Sequence, residues 1–258
     1  MDIGNKIGLE IKLNSKNRLE IPQEVKFDGE SIRKLSDLKL VVADESLDLS
    51  DMPAYYMYRN VHKKKDEKVL QENALRFDLT VILPATLGDE FIKTSGHYHP
   101  EKPGTGLEYP ELYYVISGQA TYLMQRHEKD GSISDVILSR VKPGQAVMIP
   151  LGYGHVTINE LDKPLVMANW VEASFKSEYG DYETKRGAAY YLKTDGSIVR
   201  NPNYQDVASL REMEADPQCL SGLAEKAIYN YIDSPRALKP VAKPEDYPGE
   251  FEVDKLFK

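Results

Sequence analysis

Between residues 74 and 200 the chain runs as short apolar stretches, each closed by glycine, proline, asparagine or aspartate, and this rhythm limits the fold more than any other feature. "ALRFDLTVIL" (74–83) alternates with a period of two: Leu75, Phe77, Leu79, Val81 and Leu83 share one face, and Arg76, Asp78 and Thr80 the other. "ELYYVISGQATYLMQR" (111–126) reads as two strands joined in a hairpin at Ser117–Gly118. Further strands are predicted at 133–141, 145–150, 155–160 and 164–173, with a hairpin over 188–200 turning at Asp195–Gly196. Many short strands at such spacing predict an all-β sandwich or barrel. After about residue 204 the pattern changes. Residues 205–234 carry helix formers with apolar residues three and four apart, broken near Pro217, and a Pro-rich, charged tail follows. The expected organisation is an N-terminal arm over 1–50, a barrel over 51–204, and a helical appendage with an extended tail over 205–258.

Composition excludes several classes. The formal charge of −8, from 41 acidic against 33 basic residues, gives no bulk attraction for nucleic acid or an anionic membrane. The basic run "HKKKDEK" (62–68) reads as a solvated surface segment. Cys219 is the single cysteine, so no internal disulfide forms, and nothing near it marks it as an activated nucleophile. The N-terminus lacks the layout of a signal peptide, and no apolar run approaches the ~20 residues of a membrane helix. The expected compartment is the cytoplasm.

The chain has five histidines, and two stand one residue apart in "TSGHYHPEKPGTGLEYPELYYVISG" (94–118). On extended backbone His97 and His99 point the same way, aiming two imidazoles at one spot. Imidazole is the commonest side-chain donor to mid-period divalent metals. Glu111 opens the following strand with Tyr113 on its own face, and a neighbouring antiparallel strand can bring that carboxylate to the same spot. In "GQAVMIPLGYGHVTIN" (144–159) glycines and a proline turn the chain between two strands, so that His155 begins a strand. His62 and His127 lie in charged stretches and read as solvated, and Trp170 reads as core.

The 144–159 segment resembles the second cupin motif at every fixed position. The His97-x-His99 pair, with Glu111 six residues ahead of Gly118, resembles the core of the first. The resemblance implies a small antiparallel β-barrel, a double-stranded β-helix or jelly roll, with three histidines and one glutamate on a metal. Here 11 residues separate His99 from Glu111, longer than the usual gap, which makes Glu101 and Glu108 rival ligands. Glu111 is preferred because it alone keeps the six-residue gap to the turn glycine and its place at a strand start.

"FIKTSGHYHP", "PELYYVISGQATYLMQ", "VKPGQAVMIPLGYGHVTIN" and "SEYGDY" resemble the cupin-type glucose-6-phosphate isomerases of archaea and some bacteria, from about Arg33 to about Tyr204. The resemblance implies interconversion of glucose 6-phosphate and fructose 6-phosphate. It implies one divalent metal per subunit on His97, His99, Glu111 and His155, with Fe2+ expected and Mn2+, Ni2+ or Zn2+ able to substitute. It places the substrate phosphate at Thr80, Thr94, the Gly96 backbone and Tyr179, helped by loop bases such as Lys93, and puts Tyr113 near the sugar. It also implies a homodimer. The metal would stabilise an enediolate as a Lewis acid while Glu111 carries the proton. A hydride shift, with Tyr113 or a metal-bound water moving hydroxyl protons, is the other route. A tyrosine and a histidine of the compact members fall on Val171 and Ser177, and Tyr153 or Arg126 are candidate substitutes. The loop 101–110 reads as a lid or a long surface connection. A metal-dependent oxidoreductase and a non-catalytic sugar-phosphate binder are the alternatives to the isomerase.

Overall fold

The computed structural model describes residues 1–216, 226–247 and 249–258. The main strands are β1 (Glu30–Lys34), β2 (Pro53–Tyr58), β3 (Leu75–Ile82), β4 (Thr86–Leu87), β5 (Glu90–Lys93), β6 (Glu111–Ser117) and β7 (Ala120–His127). They continue with β8 (Ile133–Val141), β9 (Ala146–Ile149), β10 (Tyr153–Asn159), β11 (Leu165–Glu172), β12 (Tyr190–Leu192), β13 (Ile198–Arg200) and β14 (Leu210–Glu212). Two six-stranded sheets face each other, ordered β9-β6-β11-β3-β2-β1 and β14-β8-β7-β10-β5-β4. Every pairing within them is antiparallel except β14 on β8. No helix among the described residues is long and apolar enough to cross a membrane.

The predicted strands form close to the expected bounds, and β12 and β13 form the expected hairpin around Asp195–Gly196. The predicted hairpin at Ser117–Gly118 does not form. β6 pairs with β9 and β11, whereas β7 pairs with β8 and β10, so the chain crosses there from one sheet to the other. Two apolar runs joined by glycine look alike whether they pair together or part. Gly118 has φ +86°, and a Cβ there would stand 3.0 Å from the Leu165 Cα.

In β3 the polar face, not the apolar one, lines the barrel. Asp78 pairs with Asn169 on β11, and Asn169 pairs with Tyr113 on β6. One row along, Arg76 pairs with Val171, and Val171 with Glu111. Directly opposed residues share a face, so these six side chains look into the barrel. Phe77 and Trp170 look the other way and are fully buried. They pack on each other at 4.7 Å and on Tyr229 at 5.4 and 6.1 Å. The Trp170 indole donates to the carbonyl of Ile228 at 2.9 Å. Segments flanking the barrel thus cover its outer face.

The helix predicted from residue 205 is not present up to 216. Leu210–Glu212 is strand β14, lying parallel to β8 with Leu210 opposite Val136. An open sheet edge offers backbone partners that an isolated short helix lacks. Residues 217–225, with Pro217 and Cys219, lie outside the described residues. From Ile228 onward the chain forms short helical turns. The run 62–68 is not simply solvated: His62 and Asp66 are buried, and the His62 Nδ1–H donates to the Asn60 carbonyl at 2.7 Å.

Candidate metal centre and pocket

The cluster draws on both sheets. His97 follows β5 in extended backbone and bridges to His155 on β10, with His97 N–H donating to the His155 carbonyl at 3.2 Å and the reverse bond at 3.0 Å. Glu111 comes from β6 in the facing sheet, not from an adjacent strand as the sequence suggested. Ligand atoms of His97, His99, Glu111 and His155 all lie within 4.8 Å of one another. Glu111 Oε2 is 3.2 Å from His99 Nε2, 3.4 Å from His155 Nε2 and 4.0 Å from His97 Nε2. His97 and His99 Nε2 are 3.1 Å apart. Two donors at right angles on one ion, each ~2.1 Å away, would stand ~3 Å apart. The donor set and its spacing therefore fit a divalent cation.

Protonation favours the same reading. The Tyr109 carbonyl accepts from His99 Nδ1 at 2.7 Å, which turns Nε2 toward the cluster. Burial pushes His97 well below its ordinary pKa and His155 below its own. Burial would raise Glu111, but the His155 and His99 imidazoles outweigh it and hold the carboxyl well below its usual range. The depressed His97, His155 and Glu111 favour the cation-accepting forms of these three side chains, and the Tyr109 carbonyl orients the His99 ring beside them. The Tyr113 hydroxyl sits 3.2 Å from His155 Nε2, and burial raises its pKa well above the ordinary value.

The pocket beside this cluster is lined by Thr80, Thr94, Gly96, Tyr113, Val171, Ser177 and Tyr179 among others. The Tyr179 ring centroid is 5.5 Å from that of His97. Thr94 Oγ1 accepts from the Thr157 N–H at 3.0 Å, so its own O–H is available to donate. Glu101 and Glu108 fall outside the cluster and bridge each other in the long loop. That loop is tied to the C-terminal segment, with the Lys102 ammonium 2.7 Å from Glu245 and 2.9 Å from the Ala242 carbonyl. Tyr109 at its end stacks on Phe175 at 4.5 Å.

Three expected helpers lie elsewhere. Lys93 is buried in an ion pair with Glu90. Tyr153 donates to Asp135 at 2.7 Å, and Arg126 is exposed beside Glu128. Sequence reasoning missed Arg59, Arg76 and Asn169, all of which line the pocket. Burial opposes the charge on Arg59, but Asp78, with Glu111 and Tyr113 beyond it, more than restores it, and its pKa rises. The available signal was Arg76 and Asp78 sharing a strand face with Thr80.

Facing antiparallel sheets that hold a His-x-His pair, a glutamate and a third histidine around one point define a cupin barrel. The family model described as "Glucose-6-phosphate isomerase (GPI)" matches residues 32–209, and the chain belongs to that family of isomerases. Glucose-6-phosphate isomerase of Thermococcus litoralis is 28% identical over 178 residues, covering 67% of this chain and 85% of its own. That of Thermococcus onnurineus is 30% identical over 180 residues, covering 67% and 87%. That of Thermococcus kodakarensis is 29% identical over 212 residues, covering 80% and 100%. Among solved structures, Bacillus subtilis oxalate decarboxylase at pH 4.6 overlaps 48% of this chain and 27% of its own, at 18% identity and a TM-score of 0.34, a partial overlap that says nothing about function.

Proposed function

We propose that this enzyme interconverts glucose 6-phosphate and fructose 6-phosphate, with one divalent ion held by His97, His99, Glu111 and His155. Fe2+ is the proposed native ion, and Mn2+, Ni2+ or Zn2+ its substitutes. The observation that carries the reading is the convergence of these four donors in a chain of this family. A divalent ion bound there supplies Lewis-acid polarisation of the neighbouring C1 and C2 oxygens.

Glu111 is the only carboxylate among the described residues lining the pocket, and it carries the proton between C1 and C2. The Tyr113 hydroxyl exchanges a hydrogen bond with a substrate oxygen. Thr80, Thr94, the Gly96 N–H and Tyr179 hold the phosphate, and that binding energy orients the sugar carbons at Glu111. Aromatic walls such as Phe175 exclude water. The proposed organisation is an arm over 1–50, the barrel over 51–204 and an appendage over 205–258, in a cytoplasmic homodimer.

The test is a coupled fructose 6-phosphate assay on metal-stripped protein reloaded with each ion, beside His155→Ala. Stripping abolishes turnover, reloading restores it, and His155→Ala lowers it by at least ~100-fold. Turnover indifferent to chelation and to that substitution overturns the reading. Fructose 6-phosphate made in deuterated water acquires deuterium if Glu111 carries the proton, and none if hydrogen moves as hydride.

A further inference from the structure

The pocket wall is polarised along its strands. One end holds hydroxyls: Tyr55 on β2, whose O–H stands 3.3 Å from Ser95 Oγ, and Thr80 on β3, paired with Met57. The other end holds two guanidiniums, Arg59 just past β2 and Arg76 near the start of β3. Arg59 lies four positions beyond Tyr55 and Arg76 four before Thr80, ~14 Å in each case at ~3.4 Å per extended residue.

Asp78 fixes the guanidinium end. Its Oδ2 accepts from Arg59 Nη1 at 2.7 Å, and its two oxygens accept from Arg76 Nε at 3.1 and 3.0 Å. The carboxylate is sealed at 0% exposure, while the Arg59 and Arg76 side chains keep 37% and 25%. Asp78 is the one acid bonded to both guanidiniums, and both guanidiniums line the pocket. Arg76 meets Asp78 through Nε alone, so that bond does not engage its Nη groups. Beside them Asn169 is 1% exposed, and its Nδ2 has no hydrogen-bond partner. A buried amide left unpaired is unfavourable, a deficit that a bound acceptor removes. Val171 stands between Arg76 and Glu111 in the same cross-strand row, so the charge looks past a short side chain toward the metal cluster.

We propose that Arg59, Arg76 and Asn169 form a second anion-binding subsite, which takes a phosphoryl or carboxylate group additional to the phosphate near Thr80. The substrate class that fills both ends is a sugar phosphate bearing two anionic groups. The inference rests on the sugar-phosphate reading of the pocket for the sugar and for the phosphate near Thr80. Guanidiniums suit such groups because their N–H forks match paired oxygens.

The test is calorimetric binding to the metal-loaded protein, independent of turnover. Fructose 1,6-bisphosphate is compared with fructose 6-phosphate on wild type, Arg76→Gln, Arg59→Gln and Asn169→Ala. Wild type binds the bisphosphate ~10-fold tighter, the worth of one charge-assisted pair. Arg76→Gln abolishes that difference and Asn169→Ala narrows it. Arg76→Gln leaves Asp78 paired with Arg59, and Arg59→Gln leaves it paired with Arg76, so at least one variant keeps its melting temperature and metal content. Equal affinities in wild type, or a difference that survives in both arginine variants, overturn the proposal. Arg76-dependent binding of inorganic phosphate to the fructose 6-phosphate complex supports the subsite but overturns its assignment to a substrate-borne group. Isomerase activity without the affinity difference sinks this subsite only, and the affinity difference without isomerase activity sinks the assigned reaction only.

Discussion

The Tyr109 carbonyl fixes the His99 ring by accepting its Nδ1–H at 2.7 Å. That bond decides which ring nitrogen faces Glu111. Tyr109 is itself held by its stack on Phe175, whose ring also lies 4.6 Å from His99. A metal held by this cluster would therefore depend on a loop that contributes no ligand. Removing the stack in Phe175→Ala should weaken metal binding ~10-fold or more, as loss of a ligand-orienting partner does. Competition with a chelating dye reads this directly, and unchanged affinity would show that the ring is held in some other way.

The pH response of the metal-free protein follows from the cluster. His97 and His155 lie below 6.5 in the fold and Glu111 below 4.5. Each folded pKa is below its unfolded value, so the unfolded chain takes up protons first as pH falls. The stabilisation is complete above about 6.5 and declines below it, first through the histidines and then, below about 4.5, through Glu111. The melting temperature should drop between pH 7 and 5, and His97→Asn should flatten that limb. A wild-type melting temperature level across this range would contradict the assignment.

Gly96 cannot take a side chain. Its φ is +77°, and a Cβ there would meet the Tyr182 ring and stand 2.6 Å from Val156 Cγ2. Gly96→Ala should cost ~2–4 kcal/mol through backbone strain and overpacking together. Urea unfolding of the metal-free protein measures this, and a cost under ~1 kcal/mol would mean that the backbone yields locally.

The buried pair of Glu90 and Lys93 belongs to the fold and not to the pocket. Glu90 also accepts from the Ala43 N–H at 2.7 Å, which ties the segment before the barrel to β5. Glu90→Ala leaves an uncompensated ammonium and should cost ~3–5 kcal/mol. Fructose 6-phosphate affinity should stay within about twofold, because neither side chain lines the pocket. A large loss of affinity with little loss of stability would return Lys93 to the substrate.

The clustering of His97, His99 and His155 was legible because each motif is local. The His97-x-His99 step needs only the period of extended backbone, and the approach to His155 needs only turn residues between strands. The partner of Glu111 was not legible. A six-residue gap to Gly118 says nothing about which sheet Glu111 joins, and the same glycine suggested a hairpin where the chain changes sheets. Arg59 escaped notice because its place in the pocket depends on Asp78, 19 residues away, and on the pairing of β2 with β3. Leu210–Glu212 was misread because helix propensity is a weak local preference, which the free edge of β8 overrides. Lys93 looked available because a strand-end lysine usually is, and only the facing Glu90 makes it otherwise.

Strands β3 and β11 form a partition a single layer thick. On one surface Phe77 and Trp170 receive Tyr229 from the C-terminal segment, and on the other their immediate neighbours Arg76, Asn169 and Val171 line the pocket. Remodelling the tail at Tyr229 would therefore act, from outside the barrel, on the same two strands that carry the pocket wall.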